Sequence, residues 1–115
     1  MADQGDNTVA SVGRAFDIIE QLRDSERVGV SELAESVEMP PSTVYNYLRT
    51  LQNRQYVKKD GDQYALADRF IHLGDFARGR HPVYRSGRPN IVWLAEETEK
   101  TTNLMIEEYG RGIYL

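Results

Sequence analysis

The sequence has no cysteine, only three lysines against eighteen acidic residues, and no apolar run near the ~20 residues of a membrane span. Without cysteine, disulfides, thiolate zinc sites and cysteine nucleophiles are excluded. The chain also opens without the basic and apolar segments of a secretion signal. We therefore expect a soluble, cytoplasmic protein with no membrane partner. Its 115 residues leave room for one modest domain with an appendage.

Sequence patterns of catalysis are missing as well. The chain contains no P-loop, no Gly-x-Gly-x-x-Gly string and no Gly-x-Ser-x-Gly string. His72 and His81 lie nine positions apart and lack the spacing of metal ligands. Glu96, Glu97 and Glu99 have the pattern of a solvated helix face rather than of an acid/base pair. We predict that the chain is not an enzyme and has no catalytic residue, no metal site and no cofactor.

The apolar spacing predicts three helices followed by a β-hairpin. We expect Ser11 to cap the first helix and Ser31 to cap the second, which covers residues 31–38. The predicted core stripe of the first helix consists of Val12, Ala15, Phe16, Ile19 and Leu22. Asp60-Gly61 is the predicted hairpin turn, and Lys58 and Lys59 would lie at its tip. This order of elements is typical of a winged helix. Further along, Gly79 and Pro82 should interrupt a helix, Pro89 should lie near the start of the next one, and residues 110–112 should form a turn between two strands.

Two prolines separate the second helix from the third, in the stretch "EMPPSTVYNYLRTL". Pro40 and Pro41 end the second helix, because a proline disfavours the α conformation of the residue before it. Proline is favourable at a first helical position, so the third helix is predicted over residues 41–54. Its Val44, Leu48 and Leu51 recur at i, i+4 and i+7 and should face the core. The short connection has the length used in a helix-turn-helix.

The opposite side of this third helix carries polar side chains and no acid. The predicted DNA base contacts are Ser42, Thr43, Tyr45, Asn46 and Arg49. The predicted DNA phosphate contacts are Arg54, Lys58 and Lys59. Although the net charge is −4, residues 41–59 hold four basic residues and no acid. Double-stranded DNA is therefore the predicted partner, contacted by this window.

Other interpretations of the same pattern stay open. Winged helices also serve as protein-docking modules, and the net charge of −4 favours that alternative. Association through residues 83–100 and the last strands is a third hypothesis. A second basic window, residues 69–88, is either a phosphate-facing linker or a solvated helix face.

Three segments of the chain resemble the N-terminal DNA-binding region of IclR-type transcriptional regulators. They are "SVGRAFDIIEQL", "SELAESVEMPPSTVYNYLRTLQNRQYV" and "YALADRFIHLG". Residues 89–115 are similar to the linking helix and opening strands of that family's effector-binding domain. Pro41 departs from the family, which often has a basic or polar residue there, and so removes one phosphate contact.

The resemblance implies a prokaryotic, dimeric regulator that binds a near-palindromic operator. The expected fold is mainly α with a small β-wing: a winged helix-turn-helix, linker helices and an incomplete C-terminal hairpin. We expect a disordered segment 1–7, a DNA-binding domain 8–66, a linker region 67–88 and a truncated effector-binding domain 89–115. A small-molecule effector is expected only if a longer chain exists.

Overall fold

The computed structural model describes residues 7–115, so residues 1–6 of the segment expected to be disordered lie outside the described range. Within residues 7–115 the chain forms five α-helices and five short strands. It divides into two compact units, one ending at Phe70 and the other running from Ile71 to Leu115.

The first unit contains three helices and a three-stranded antiparallel sheet. Its elements are α1 (Ala10–Ser25), β1 (Val28–Gly29), α2 (Val30–Val37), α3 (Pro41–Asn53), β2 (Val57–Asp60) and β3 (Gln63–Leu66). The strand order is β1-β3-β2, with Val28 opposite Tyr64 and Val57 opposite Leu66. This arrangement confirms the predicted winged helix.

One apolar cluster holds this unit together. Its buried members are Ile18, Leu22, Val28, Leu33, Ala34, Val44, Leu48, Val57 and Tyr64. They come from all three helices and all three strands of the unit, so the sheet and helices share a single core. Burial of each such large apolar side chain contributes roughly 1.5–3 kcal/mol.

The predicted core stripe of α1 is only partly correct. Leu22 is buried, but Val12 and Phe16 are 52% and 57% exposed, and the prediction missed Ile18, which is fully buried. The reason is that α1 packs on α2 and β3, and its buried residues lie in its second half. Helical spacing identifies an apolar face, but it does not show how much of that face has a neighbour.

Neither predicted serine cap is present. Helix α1 begins at Ala10, because the N–H of Gly13 donates to the carbonyl of Val9, 3.3 Å away. Helix α2 begins at Val30, directly after the extended residue Gly29, and its N-cap makes no side-chain hydrogen bond. Both serines therefore lie inside the first helical turn, where a side chain cannot act as an N-cap.

The two prolines act as predicted. Helix α2 ends before Glu38, whose φ of 57° is left-handed, and Pro41 is the first residue of α3. The carbonyl of Pro40 accepts the first α3 hydrogen bond, from the N–H of Val44 at 3.0 Å. The helix ends at Asn53, one residue short of the predicted end.

Helix α4 (Arg69–Gly79) begins with the last two residues of the first unit, and the rest of it belongs to the second unit. The other elements of the second unit are α5 (Pro82–Thr98), β4 (Met105–Glu108) and β5 (Arg111–Tyr114). The predicted break between Gly79 and Pro82 is confirmed. The last two strands form the predicted antiparallel hairpin, with Ile106 opposite Ile113.

Two details of this unit differ from the sequence prediction. Pro89 was expected near a helix start, yet it lies inside α5, because Pro82 already occupies the favourable first position. The hairpin turn is Tyr109-Gly110, with φ of 52° and 77°, rather than residues 110–112. Two successive left-handed residues match the right-handed twist of the strands they join. The proposed domain divisions at 66/67 and 88/89 stay predictions, and the second falls inside a continuous helix.

Candidate nucleic-acid interface

The outer face of α3 presents most of the side chains predicted to contact bases. Ser42, Tyr45, Asn46 and Arg49 are all exposed on it. Their spacing of three or four positions places them along one side of the helix. On the other side Val44 and Leu48 are fully buried and fix the helix to the core. The polar face is thus presented to solvent on a helix that is firmly packed.

Thr43 lies at the margin of this face. Its side chain is only half exposed, as is that of Tyr47, one turn further on. Tyr47 packs against the core cluster, so it faces partly inward. The hydroxyl of Thr50 donates to the carbonyl of Asn46 at 3.0 Å, so this flanking side chain is engaged by the helix itself.

The wing, strands β2 and β3, presents Lys58 and Lys59 differently from the prediction. The residues that form its turn are Gly61 and Asp62, and both lysines lie within β2. Successive side chains of a strand point to opposite faces. The ammonium of Lys59 lies 5.8 Å from the centre of the Tyr64 ring, whereas Lys58 pairs with Ala65 on the other face. The two lysines therefore do not form one basic patch.

The tip of the wing is acidic, because Asp60 and Asp62 flank Gly61. A guanidinium nitrogen of Arg27 lies 2.6 Å from a carboxylate oxygen of Asp60. Arg27 immediately precedes β1, so the ion pair connects β1 to the wing. The sequence prediction missed this contact, since no local spacing links residues that are 33 positions apart.

The C-terminal end of α3 carries a second group that the sequence prediction missed. The chain turns sharply there, because Gln55 has a left-handed φ of 71°. Arg69, the first residue of α4, donates to the side-chain oxygen of Gln55 at 2.9 Å. Its guanidinium carbon also lies 5.5 Å from the centre of the Tyr56 ring. The predicted phosphate contact Arg54 is exposed beside this group.

Two further arginines of the second basic window, Arg78 and Arg85, have local partners. Arg78 forms an ion pair with Asp75 at 3.1 Å, and Arg85 donates to the carbonyl of Gly79 at 2.7 Å. Such exposed pairs contribute roughly 0–1 kcal/mol each. This part of the window has the character of a solvated helix face.

The geometry of α3 fits a DNA groove. A helix with its side chains is about 10–12 Å wide, and the major groove is about 12 Å wide. Asn and Arg have the bidentate options that distinguish adenine and guanine. Asn46 and Arg49 are exposed on the same side of α3, so one approach could bring both to base edges.

Comparison with known sequences agrees with this geometry. The sequence model of the IclR helix-turn-helix domain matches residues 11–61. Residues 11–61 are an IclR-family helix-turn-helix domain. A probable transcriptional regulator ArcR of Halobacterium salinarum is 33% identical over 108 residues, which cover 93% of this chain and 41% of the relative. The transcriptional regulator KdgR of Escherichia coli is 31% identical over 115 residues, 98% of this chain and 44% of the relative.

Solved structures of IclR-type proteins have the same fold. HmgR of Pseudomonas aeruginosa superposes with a TM-score of 0.74 at 25% identity, over 93% of this chain and 47% of that one. The IclR protein of Thermotoga maritima also gives 0.74 at 25% identity, over 91% of this chain and 43% of that one. The chain therefore spans less than half the length of each of these IclR-type proteins. Both of these sequence relatives carry the name of a transcriptional regulator.

The helices include no candidate membrane span in the part of the chain that the structure describes. Across the described range 7–115, none of them combines the length and the apolar character that crossing a bilayer requires.

Proposed function

We propose that this chain is a sequence-specific DNA-binding transcriptional regulator that acts as a homodimer in a prokaryotic cytoplasm. The observation that supports it best is the acid-free, exposed face of α3 on an IclR-type helix-turn-helix domain. In this proposal α3 enters the major groove, with Ser42, Thr43, Tyr45, Asn46 and Arg49 at base edges. Arg54, Lys58 and Lys59 attract the phosphate backbone without regard to sequence.

The homodimer in this proposal would involve the helices after Ala67. On α4, Leu73 and Phe76 are largely exposed apolar side chains one turn apart. Large apolar side chains that cluster on a surface mark sites of association. Two copies would present two α3 helices to the two halves of an operator. A small-molecule effector enters the proposal only for a longer chain.

Substitution of the two bidentate residues tests the proposed base contacts. We expect Asn46→Ala and Arg49→Ala each to reduce the difference in binding free energy between the operator duplex and a duplex with a changed base pair by roughly 1–3 kcal/mol. Electrophoretic mobility shifts with both duplexes measure this discrimination. Gln52→Ala, an exposed change on the same helix, is the matched control and should keep it. Unchanged sequence preference in both variants would refute the assignment of these residues.

A protein-docking winged helix is the second candidate function. Asp62 at the wing tip and the net charge of −4 favour it, since both repel a phosphate backbone. A salt titration against random duplex DNA separates the two functions. Non-specific DNA binding strengthens steeply as salt is lowered. Binding at low salt supports the regulator, and its absence at every salt concentration supports docking.

A further inference from the structure

We propose that the cleft where α3 ends and α4 begins binds a DNA backbone phosphate, with Arg69 as its main ligand. This proposal rests on the proposed function and adds a contact to it. The cleft is a shallow depression of about 440 Å³ that is open to solvent, and its lining residues are Asn53, Arg54, Gln55, Tyr56 and Arg69. Two of these carry a positive charge, two are amides that can donate hydrogen bonds, and none is acidic.

The backbone around the cleft is well fixed. The N–H of Gln55 donates to the carbonyl of Gln52 at 2.9 Å, and the N–H of Tyr56 donates to that of Leu51 at 2.9 Å. The carbonyl of Tyr56 in turn accepts from the N–H of Ala67 at 2.9 Å. These bonds join the end of α3 to the approach of α4. These hydrogen bonds fix the backbone that carries the lining residues before a ligand binds.

Arg69 is oriented by partners that leave its charge intact. It donates one hydrogen bond to the neutral amide oxygen of Gln55, and its guanidinium lies over the Tyr56 ring. Phe70 supports that ring, with the two ring centres 5.1 Å apart. A guanidinium has five donors in a fixed plane, so the bond to Gln55 leaves others for a phosphate.

Neither arginine of the cleft is neutralised by an acid. Among residues 7–115, the basic side chains in ion pairs within 4.0 Å are those of Arg23, Arg27 and Arg78. Arg54 and Arg69 thus have no carboxylate partner in that range. An oriented arginine without a carboxylate suits a phosphate, because little side-chain freedom remains to be lost on binding.

The cleft adjoins the face that the proposed function assigns to DNA. Asn53 lies seven positions after Asn46, two helical turns along the same side of α3. A phosphate in the cleft would flank the groove that α3 occupies. It would also tie the first residue of α4 to the DNA, so that the helix following the wing takes part in binding.

The test combines a charge-removing variant with the salt dependence of binding. Arg69→Gln removes the charge and keeps a polar, unbranched side chain at this position. We expect the slope of log affinity against log salt to become shallower by about 0.9, as for loss of one phosphate contact. Arg80→Gln removes the same charge from an exposed position outside the cleft and should keep the wild-type slope. Equal slopes in the two variants would overturn the proposal.

A second measurement locates the phosphate and does not depend on the slope. Single neutral methylphosphonates are placed at each position of the operator duplex, and the affinity of the wild-type chain is measured for each. One position should weaken binding by the wild type but have no further effect on Arg69→Gln. Arg69→Lys keeps the charge and should remain sensitive there. If Arg69→Gln does not fold, Arg69→Met takes its place in both measurements, because Met also removes the charge and keeps a long, unbranched side chain.

Failure of this site can be told apart from failure of the proposed function. If Arg69→Gln keeps the full slope while Asn46→Ala loses sequence preference, the regulator assignment stands and the phosphate cleft is wrong. If the wild-type chain binds no duplex at low salt, the proposed function itself is wrong.

Discussion

At the scale of single residues, the two wing lysines are neighbours in sequence with unequal surroundings. Lys58 is exposed on the outer face of β2, whereas the ammonium of Lys59 lies above the buried Tyr64 ring. A cation near an aromatic face gains roughly 0.5–1 kcal/mol at exposed sites. The structure therefore gives Lys59 a stabilising contact within the wing, and leaves Lys58 with its charge directed to solvent.

This difference predicts separate effects for two alanine substitutions. Lys58→Ala should weaken binding to all DNA sequences alike and flatten the salt slope by about one unit. Lys59→Ala should in addition lower the free energy of unfolding by about 0.5–1 kcal/mol, because the contact with Tyr64 is lost. Salt-dependent DNA titrations and urea unfolding measure the two quantities. A Lys58→Ala chain that loses sequence discrimination but keeps the wild-type dependence of affinity on salt would contradict a phosphate role.

Individual side chains were predictable from sequence where a local pattern determines them. Val44 and Leu48 follow helical spacing and are buried, and the polar residues opposite them are exposed. The contacts of Arg27 with Asp60 and of Arg69 with Gln55 were not predictable, because they join residues 33 and 14 positions apart. Such pairs depend on how the elements pack, and that packing leaves no periodic signal in the chain.

At the scale of elements, the boundaries that were predicted well are those marked by proline. Pro41 and Pro82 each occupy the first turn of a helix, as their preset φ favours. The serine caps were predicted wrongly, since a serine near a helix start does not reveal whether the preceding residue is already helical. The first half of α1 was predicted to be buried but is exposed, because amphipathic spacing does not show whether another element covers an apolar face.

The turn of the wing gives a prediction at this scale. Gly61 has a left-handed φ of 65°, and no atom lies within 4 Å of the position a Cβ would take. Gly61→Ala should therefore destabilise the fold by about 1–2 kcal/mol through backbone strain alone. Gly13→Ala is the matched control, since Gly13 lies in α1 with equally open surroundings and an ordinary helical conformation.

The control substitution should act in the opposite direction. Alanine in a helix interior is favoured over glycine by roughly 0.5–1 kcal/mol, so Gly13→Ala should raise the free energy of unfolding. Chemical denaturation monitored by circular dichroism measures both variants. Two shifts of the same sign would contradict the assigned backbone conformation of the wing turn.

At the scale of the whole molecule, the distribution of charge explains how an acidic chain can bind DNA. The net charge is −4, yet residues 41–59 carry four basic residues without an acid. Over a Debye length of about 8–10 Å at physiological salt, a phosphate senses mainly the charges near it. In the proposed function, the acids elsewhere in the chain would limit DNA binding to the α3 face and its neighbours. This separation of charge is visible in the sequence. The acidic wing tip is not, because only the structure shows which residues form the turn.

The proposed homodimer supplies the last prediction. Phe76 on α4 is 72% exposed, so Phe76→Glu should leave each chain folded, because little of its side chain is packed within the chain. If α4 lies in the dimer interface, loss of a buried Phe should weaken the dimer about 10- to 100-fold. Sedimentation equilibrium over a range of concentrations measures this dissociation. Tyr109→Glu, at a 97% exposed turn position, is the matched control and should dimerise as the wild type does. A wild-type chain that stays monomeric at high concentration, or a Phe76→Glu chain that dimerises normally, would contradict association through α4.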